Sequence, residues 1–232
     1  MRIVIAGGGT GGHLFPGVAI AEEFRRRSRE NEVLFIGTNR GLEARVLPQI
    51  GFALATLEVE GIKGRGIARS MAALAKIPPS LIQSRRILRD FGPGIVIGVG
   101  GYASGPAVLA ARFMGLPTAI AEQNAIPGET NKILGRFADR IFVSFAETAR
   151  GFRKDRVRVT GNPIRAAIAG APKRERTPGT AMTILVFGGS QGAHRINLAV
   201  LEALPHLGDL KGRLRLIHQT GKDDLEMVTN GY

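Results

Sequence analysis

The amino-acid sequence predicts an α/β fold of two Rossmann-like domains with parallel sheets, of which the second is incomplete. Two observations predict it. Short apolar runs of β type alternate with helical patterns along residues 1–160, a rhythm that is typical of a parallel sheet with helices on both faces. A glycine-rich loop also joins a strand to a helix twice, at residues 7–12 and 188–193.

The first domain begins with a strand, a glycine loop and a helix, and then continues in the same βα order. We predict strands at Arg2–Ala6, Glu32–Ile36, Phe52–Leu57, Ile95–Val99, Thr118–Ala121 and Arg140–Ser144. We predict helices near Phe15–Ser28 and around Leu42–Ile50. Because each strand is followed by a crossover, the strands are expected to pair in parallel.

A polar segment separates the two domains. Residues 171–181 are rich in Pro, Gly and charged side chains, which is the composition of a linker. We place the domains and the linker at 1–163, 164–181 and 182–232. The second domain has a predicted strand, helix and strand at Met182–Phe187, Ala193–Leu204 and Leu214–His218. An open doubly wound domain needs more strands, so we expect this one to be incomplete.

The composition excludes thiol chemistry and leaves several classes of partner open. The chain has no cysteine, which rules out disulfides, thiolate metal sites and cysteine nucleophiles. Its apolar start is too short for a signal peptide, and the longest uncharged stretch, Phe91–Ala111, is interrupted by six Gly and two Pro. We therefore expect a cytoplasmic protein. The net charge of +13 favours nucleic acid, anionic lipid or phosphorylated substrates.

The first glycine loop, Gly7–Gly12, predicts a phosphate site. Glycines let the backbone approach a ligand, and the helix that follows offers free N–H groups. The glycine spacing also fits the dinucleotide pattern G-x-G-x-x-G, but no acid follows the second strand until Glu43, which disfavours NAD; Arg40 leaves NADP open. A Walker loop is excluded because His13 and Leu14 replace its Lys and Ser or Thr. A structural turn is the remaining alternative.

A second loop, Gly188–Ala193, repeats this arrangement in the second domain. Two such loops, each opening a separate α/β unit, predict two phosphorylated ligands that face each other across a cleft. A third glycine cluster, Gly98–Pro106, lies at the carboxyl end of a predicted strand, where ligands bind in open parallel sheets. Tyr102 in this cluster either contacts a ligand or packs the loop.

Five motifs occur in a fixed order along nearly the whole chain. They are Gly7–Gly17, Gly100–Tyr102 with Ser104–Pro106, Glu122–Asn124, Gly161–Arg165 and Gly188–Ala193. In this order they resemble the motifs of the MurG family, the N-acetylglucosaminyl transferases of peptidoglycan synthesis. The resemblance implies the GT-B architecture and the transfer of N-acetylglucosamine (GlcNAc) from UDP-GlcNAc to undecaprenyl-pyrophosphoryl-N-acetylmuramyl-pentapeptide (lipid I), which gives lipid II. It also implies a role in cell-wall biogenesis, cell shape and cell division.

The same resemblance implies roles for single residues. Those expected at the UDP-GlcNAc site are Thr10, Gly11, Gly12, Asn124, Arg165, Ser190, Gln191 and Gly192. Those expected at the acceptor site are Gly9, His13, Gly101, Tyr102 and Ser104. In this assignment His13 faces the diphosphate of the acceptor, and Ser190 with the helix after it receives the diphosphate of UDP.

Inverting sugar transfer requires a base for the attacking hydroxyl and donors that stabilise the departing UDP. His13 is the first candidate for the base because an imidazole titrates near neutral pH; the alternative is that it donates to phosphate or packs. Glu122 is the competing carboxylate, or else an anchor at the end of a strand. No Asp-x-Asp and no metal-ligand spacing occur. We therefore expect transfer without a metal or other cofactor.

Residues 61–90 carry seven positive side chains against one acid, with apolar residues between them. A basic helix with an apolar face can lie on anionic membrane. The residues expected there are Lys76, Ile77, Leu81, Ile82, Arg85 and Arg86. The alternative is a helix that packs on the core with a solvated basic face. The resemblance implies a peripheral protein at the cytoplasmic face of the inner membrane, with other cell-wall synthesis enzymes as further partners.

Three alternatives and one expectation complete the prediction. Nucleic acid is disfavoured as a partner because the chain has two Tyr, no Trp and no nucleic-acid module. An NADP-dependent oxidoreductase and a non-catalytic membrane-surface module stay open. Members of the family continue beyond residue 232 with much of the pocket for uracil, ribose and sugar. We therefore expect this chain to bind UDP-GlcNAc weakly and to turn over little.

Overall fold

A computed structural model of the chain describes residues 1–39, 41–59, 77–172, 181–189 and 192–232. The chain divides into two compact units, Met1–Ala171 and Pro172–Tyr232. Each unit contains a parallel sheet, which confirms the predicted α/β class. The predicted domain boundaries stay a prediction, and residues 164–171 belong to the first unit.

The first unit is a seven-stranded parallel sheet in the order β3-β2-β1-β4-β5-β6-β7. Its strands are β1 (Arg2–Gly7), β2 (Glu32–Gly37), β3 (Ala53–Thr56), β4 (Ile95–Gly100), β5 (Thr118–Glu122), β6 (Arg140–Val143) and β7 (Val157–Val159). Its helices are α1 (Gly11–Arg27), α2 (Leu42–Gln49), α3 (Ile77–Phe91), α4 (Ser104–Phe113), α5 (Glu129–Leu134), α6 (Ala146–Ala149) and α7 (Ala166–Ala169). The strand order reverses between β1 and β4, and parallel sheets bind ligands at such a switch point.

Both faces of this sheet are buried, which explains why its strands are continuous apolar runs. On β1, Ile3 and Ile5 pack in one cluster with Leu14 of α1. Val4 and Ala6 point to the other face, in a cluster that includes residues of α3 and α4. All four of these β1 side chains have an exposed fraction of 0%. The sheet is therefore a rigid base for the loops at its carboxyl edge.

A bulge between β1 and β4 shapes that edge. Ala6 pairs with Gly98, but the next residue, Gly7, pairs with Gly100, so β4 contains one extra residue, Val99. A bulge bends a strand and redirects the chain that follows it. Here it brings the loop after β4 against the loop after β1.

Most predicted elements are confirmed, but the first helix begins earlier than expected and several further elements were not predicted. The first helix was predicted near Phe15 and begins at Gly11. Gly and Pro disfavour a helix interior, so Gly11, Gly12 and Pro16 concealed its first turns. Helix α4 was not predicted, because it begins inside the third glycine cluster at Ser104. Strand β7 was not predicted either; two of its three residues, Arg158 and Val159, are exposed.

The second unit consists of β8 (Met182–Phe187), α8 (His194–Ala203), a 3-10 helix (Leu204–Leu210), β9 (Leu214–Gln219) and α9 (Leu225–Gly231). Strands β8 and β9 pair in parallel from Met182 opposite Leu214 to Phe187 opposite Gln219. Apolar side chains on β8 stay exposed, with 59% for Leu185 and 65% for Phe187. Across both units, none of the described helices is long and apolar enough to cross a membrane.

Candidate functional site

The predicted ligand loops of the first unit meet at the carboxyl edge of its sheet. Strands β1, β4 and β5 are neighbours, and each ends in a segment that the sequence singled out. These segments are residues 7–13, 100–104 and 122–124. Parallel strands end at the same edge, so the three segments line one region.

The loops after β1 and β4 fit together because neither has side chains at the contact. The Gly8 N–H donates to the Gly100 carbonyl at 3.2 Å. A Cβ on Gly7 would collide with the Gly100 carbonyl, and a Cβ on Gly101 would collide with the backbone of Gly8. The φ angles of Gly7, Gly8, Gly100 and Gly101 are 144°, 140°, 93° and 82°, values that only glycine adopts readily. These glycines therefore form the base of the site.

The N-terminus of α1 is open to an anion. Thr10 is the N-cap, and its side chain makes no capping hydrogen bond. The N–H groups of His13 and Leu14 donate to the Thr10 carbonyl at 3.2 and 3.0 Å, whereas those of Gly11 and Gly12 precede the first helical bonds. The first turn contains no acid, and the last turn contains three arginines. An external anion at this end would therefore complete the charge pattern that stabilises a helix dipole.

Gly9 does not offer its amide to a ligand, contrary to the expectation for the acceptor site. Its N–H donates to Oε2 of Glu43 at 2.7 Å. Glu43 lies on α2 and has an exposed fraction of 0%. The first acid after β2 is thus turned into the protein and cannot hold a ribose, which removes the support for a dinucleotide site; Arg40 lies outside the described residues.

His13 lies beside the motif that follows β5. Its Nδ1 is 3.4 Å from Oε1 of Gln123, whose Nε2 donates to the Ala121 carbonyl at 3.3 Å. A Cβ on Gly100 would lie 2.6 Å from the same Nδ1, so the imidazole rests on the glycine base. Nδ1 faces the amide oxygen of Gln123, which can accept a hydrogen bond from Nδ1–H. In the neutral tautomer with its hydrogen on Nδ1, the other nitrogen, Nε2, carries no hydrogen and can accept a proton.

Glu122 has the surroundings of a loop anchor. It is 1% exposed. Its Oε1 accepts hydrogen bonds from the N–H and the side-chain amide of Asn124, both at 2.9 Å. Its Oε2 accepts from the Gly128 N–H and the Asn131 amide, both at 2.9 Å. Four donors occupy the carboxylate, so the geometry favours the anchor interpretation over the base.

The other predicted site residues of this region differ in accessibility. Tyr102 is 54% exposed, so its side chain does not pack the loop and is accessible from solvent. Asn124 is exposed, and its carbonyl accepts from Thr148 at 2.9 Å. Ser104 corrects the prediction: its side chain is fully buried and its Oγ has no hydrogen-bond partner in the described structure. Ser104 begins α4 and points toward Gly98, where a Cβ would lie 2.5 Å from its Oγ.

Arg165 stands at the start of α7, which packs on α1. Its guanidinium lies 4.4 Å from the centre of the Phe15 ring, a cation–π contact. The Ala166 N–H donates to the Glu22 carboxylate of α1 at 3.1 Å. These contacts fix the end of the first unit to the helix that carries His13.

The second glycine loop is described only in part, because Ser190 and Gln191 lie outside the described residues. Gly189 and Gly192 have φ angles of 88° and 76°. A Cβ on Gly192 would collide with the carbonyl of Thr220 after β9, and a Cβ on Gly188 would collide with Ala193. The loop therefore packs tightly on its own unit. Whether the two glycine loops face a common cleft stays a prediction.

A polar network that the sequence reasoning missed supports this second loop. Asn197 of α8 is 1% exposed and donates to the Thr220 carbonyl at 2.8 Å and to Asp224 at 2.7 Å. The hydrogen bonds from Asn197 and then from His194 hold the pKa of Asp224 below its usual range. His218 contacts the Asn197 oxygen through Nε2 at 3.0 Å. An Asn inside an otherwise apolar helix pattern was the available signal.

Part of the predicted membrane helix is described as α3. Ile82, Arg85 and Arg86 are exposed, whereas Leu81 is half-buried against the core. Lys76 and the side chain of Ile77 lie outside the described residues. A shallow groove of about 330 Å³ between α3 and α4 is lined by Leu81, Ile82, Arg85, Ala110, Phe113 and Met114. Phe113, at 76% exposed, extends the apolar surface beyond the predicted set.

Two segments of the chain match families of known domains. Residues 3–143 match the family described as the glycosyltransferase family 28 N-terminal domain. Residues 183–232 match the glycosyltransferase family 28 C-terminal domain. The two matches follow the order of the two units.

Named relatives and a solved structure resemble the whole chain. UDP-N-acetylglucosamine–N-acetylmuramyl-(pentapeptide) pyrophosphoryl-undecaprenol N-acetylglucosamine transferases from Syntrophus aciditrophicus and Citrifermentans bemidjiense are 62% and 55% identical to it over its full length. The chain spans 64% and 65% of their lengths. The crystal structure of Acinetobacter baumannii MurG is similar with a TM-score of 0.74 at 31% identity, and the match covers all of this chain and 64% of that one.

Proposed function

The chain belongs to glycosyltransferase family 28, and on that basis we propose that it is part of an enzyme that transfers GlcNAc from UDP-GlcNAc to lipid I. The observation that carries the proposal is the open N-terminus of α1 beside His13, on a base of interlocked glycines. The names of the similar transferases supply the substrates. Because the chain spans 64% of the length of its Syntrophus aciditrophicus relative, the activity belongs to the longer protein.

In the proposed reaction the hydroxyl of the acceptor sugar attacks the anomeric carbon of GlcNAc from the face opposite UDP. A new C–O bond forms, the bond between that carbon and the UDP oxygen breaks, and UDP leaves with the electron pair. His13 accepts the proton of the attacking hydroxyl at Nε2. The contact between Nδ1 and the Gln123 oxygen holds the imidazole in the tautomer that this step needs. No step requires a metal or a cofactor.

The two glycine loops bind different phosphates in this proposal. The N–H groups of Gly11 and Gly12, with the dipole of α1, hold a diphosphate, and Thr10 lies at the same helix end. Tyr102 and Asn124 are exposed at the rim and contact the sugars. The loop Gly188–Ala193 of the second unit binds the diphosphate of UDP in this proposal.

The groove between α3 and α4 is proposed to rest on the membrane that holds lipid I. Ile82 and Phe113 are 57% and 76% exposed, and Arg85 and Arg86 stand beside them on α3. Apolar side chains that enter the interface between headgroups and acyl chains bind best when cations contact anionic headgroups. This supports peripheral attachment to the cytoplasmic face of the inner membrane.

Radiolabelled sugar transfer tests the proposal. We would continue this chain after residue 232 with the remaining segment of the Syntrophus aciditrophicus relative and supply UDP-[14C]GlcNAc with lipid I in vesicles. Label in the lipid fraction is the expected result. His13→Ala should lower the rate by at least about 100-fold, the usual contribution of a general base, whereas His206→Ala, an exposed histidine of the second unit, should not.

Two outcomes would contradict the proposal in different ways. No transfer by the extended chain, with correct folding shown by circular dichroism, would remove the transferase assignment. Normal turnover by His13→Ala would leave the assignment and remove the base role. NADPH fluorescence enhancement on mixing would favour the oxidoreductase instead.

A further inference from the structure

Glu43 is a buried carboxylate that holds the first glycine loop from below. Its side chain is 0% exposed. Oε2 accepts the Gly9 N–H at 2.7 Å, and Oε1 accepts the N–H and the hydroxyl of Thr38 at 2.9 and 2.8 Å. A carboxylate that leaves water requires such hydrogen bonds to offset its desolvation. It therefore joins the loop after β1 to the end of β2.

The backbone around Glu43 is built without side chains. A Cβ on Gly8 would lie 2.5 Å from the Glu43 carboxyl carbon, and a Cβ on Gly37 would lie 2.6 Å from its Cγ. A Cβ on Gly41, the N-cap of α2, would collide with the carboxylate as well. Three separate segments thus leave space for one acidic group.

The contact with Gly9 decides which amides remain available to a ligand. Gly9 is the last residue of the loop with positive φ, at 87°, and Thr10 follows it as the N-cap of α1. Because Glu43 takes the Gly9 N–H inward, the next backbone donors in the chain that can face outward are those of Thr10, Gly11 and Gly12. The carboxylate thereby sets the direction in which the helix start presents its N–H groups.

We propose that Glu43 is a positioning residue for the phosphate site, which it serves by holding Gly9 so that the Gly11 and Gly12 amides converge on a pyrophosphate. The inference rests on the proposed function, which requires a pyrophosphate at this helix end. Glu43 does not touch the ligand. It acts through one hydrogen bond to the loop.

Two substitutions separate this role from general stability. Glu43→Gln keeps the size of the side chain but replaces one oxygen with a donor, so either Gly9 or Thr38 loses its acceptor. Thr38→Val is the matched control, because it removes one hydrogen bond to the same carboxylate and leaves the Gly9 contact in place. Thermal unfolding of both variants records the loss of stability that they share.

The test is a titration of the 15N-labelled 232-residue chain with inorganic pyrophosphate, followed by amide resonances in heteronuclear NMR spectra. In the unmodified chain, the Gly11 and Gly12 amides should shift as pyrophosphate binds. Glu43→Gln should weaken binding at least tenfold, and Thr38→Val by no more than about twofold. Equal weakening by both variants would overturn the inference and leave the proposed function intact. Absence of any shift at Gly11 and Gly12 in the unmodified chain would overturn both.

A measurement on the unmodified chain keeps the inference testable if Glu43→Gln does not fold. Coupling between two interactions is reciprocal. If the Gly9–Glu43 hydrogen bond favours pyrophosphate binding, bound pyrophosphate must stabilise that bond. Hydrogen exchange of the Gly9 N–H should therefore slow at least fivefold at saturating pyrophosphate, and an unchanged rate would overturn the inference.

Discussion

The Nδ1 of His13 and the Oε1 of Gln123 lie 3.4 Å apart, although 110 residues separate them in the chain. The contact joins the first turn of α1 to the end of β5 across the glycine base. It gives the imidazole a neutral neighbour whose oxygen can accept a hydrogen bond from Nδ1–H. The oxygen of residue 123 should therefore select the tautomer of His13.

Gln123→Met should change the tautomer of the His13 ring, because it removes the oxygen that faces Nδ1 and so leaves either ring nitrogen free to carry the hydrogen. The measurement is the 15N chemical shifts of the histidine ring nitrogens in the 232-residue chain at alkaline pH, with His13→Asn to assign the signal. Gln49→Met is the control, because Gln49 is exposed on α2 and its loss should leave these shifts unchanged. Unchanged shifts in Gln123→Met as well would show that the two side chains do not interact.

Glu122→Gln should lower the free energy of unfolding of the first unit by about 1–3 kcal/mol, since the amide group would face donors that now bind a carboxylate oxygen. Urea denaturation followed by far-ultraviolet circular dichroism measures the change. Glu147→Gln provides the control, because Glu147 is exposed on α6 and its loss should change stability by less than about 0.5 kcal/mol. If Glu122→Gln were as stable as the unmodified chain, the anchor role would be wrong.

The stabilisation that Asp139 gives the first unit should be lost in acid. Burial raises the pKa of its carboxyl group, but two hydrogen bonds from Thr118 and the charge of Arg112 outweigh burial, so the pKa is lowered from 3.8. A lowered pKa means that the stabilisation is present above the unfolded-state value and is lost as the pH falls through the folded-state value.

Asp139→Asn should therefore cost roughly 1 kcal/mol at neutral pH, a modest figure because the carboxylate is partly exposed. The cost should shrink below pH of about 4. Urea denaturation at several pH values measures it. Asp90→Asn, which changes an exposed acid on α3, should leave the pH dependence unaltered; the same slope in both variants would contradict the assignment to Asp139.

Arg85→Ala should reduce the binding of the chain to vesicles about fivefold, since one cation near an anionic surface contributes ~1 kcal/mol. Phe113→Glu should reduce it further, because it places a charge where an apolar ring is 76% exposed. Co-sedimentation with vesicles containing anionic lipid measures both. Ile168→Glu is the control, on α7 beside α1 at the other face of the sheet. Equal losses in all three variants would contradict a specific membrane surface.

The strands of the first unit were predictable because burial on both faces leaves a signal in each residue. Every position of the run Ile3–Ala6 is apolar and fully buried. The run alone therefore predicts a buried strand, whatever strands pair with it. The start of α1 was not predictable in this way. Its Gly11 and Gly12 have a low intrinsic preference for a helix, so the local sequence did not indicate that the helix begins there.

The candidate site residues were predictable where they lie in a sequence motif. They were not predictable where only the fold brings them to the site. The base candidate His13 and the rim residue Tyr102 stood inside glycine-rich motifs. Glu43 lies 34 residues from its partner Gly9 in the chain. The residues around Glu43 in the sequence do not show whether its side chain points into the protein or outward, where it could bind a ribose. Ser104 shared a motif with Tyr102, yet the first turn of α4 directs its side chain inward.

The glycine contact between the loops after β1 and β4 limits how this protein can evolve. At Gly7 and Gly101 even a methyl group would strike the opposite backbone, so single mutations there remove the site before they can alter it. If the proposed function holds, new substrate preferences must arise at exposed positions such as Tyr102 and Asn124. An inhibitor that contacts only these backbone glycines would then leave few single substitutions that give resistance.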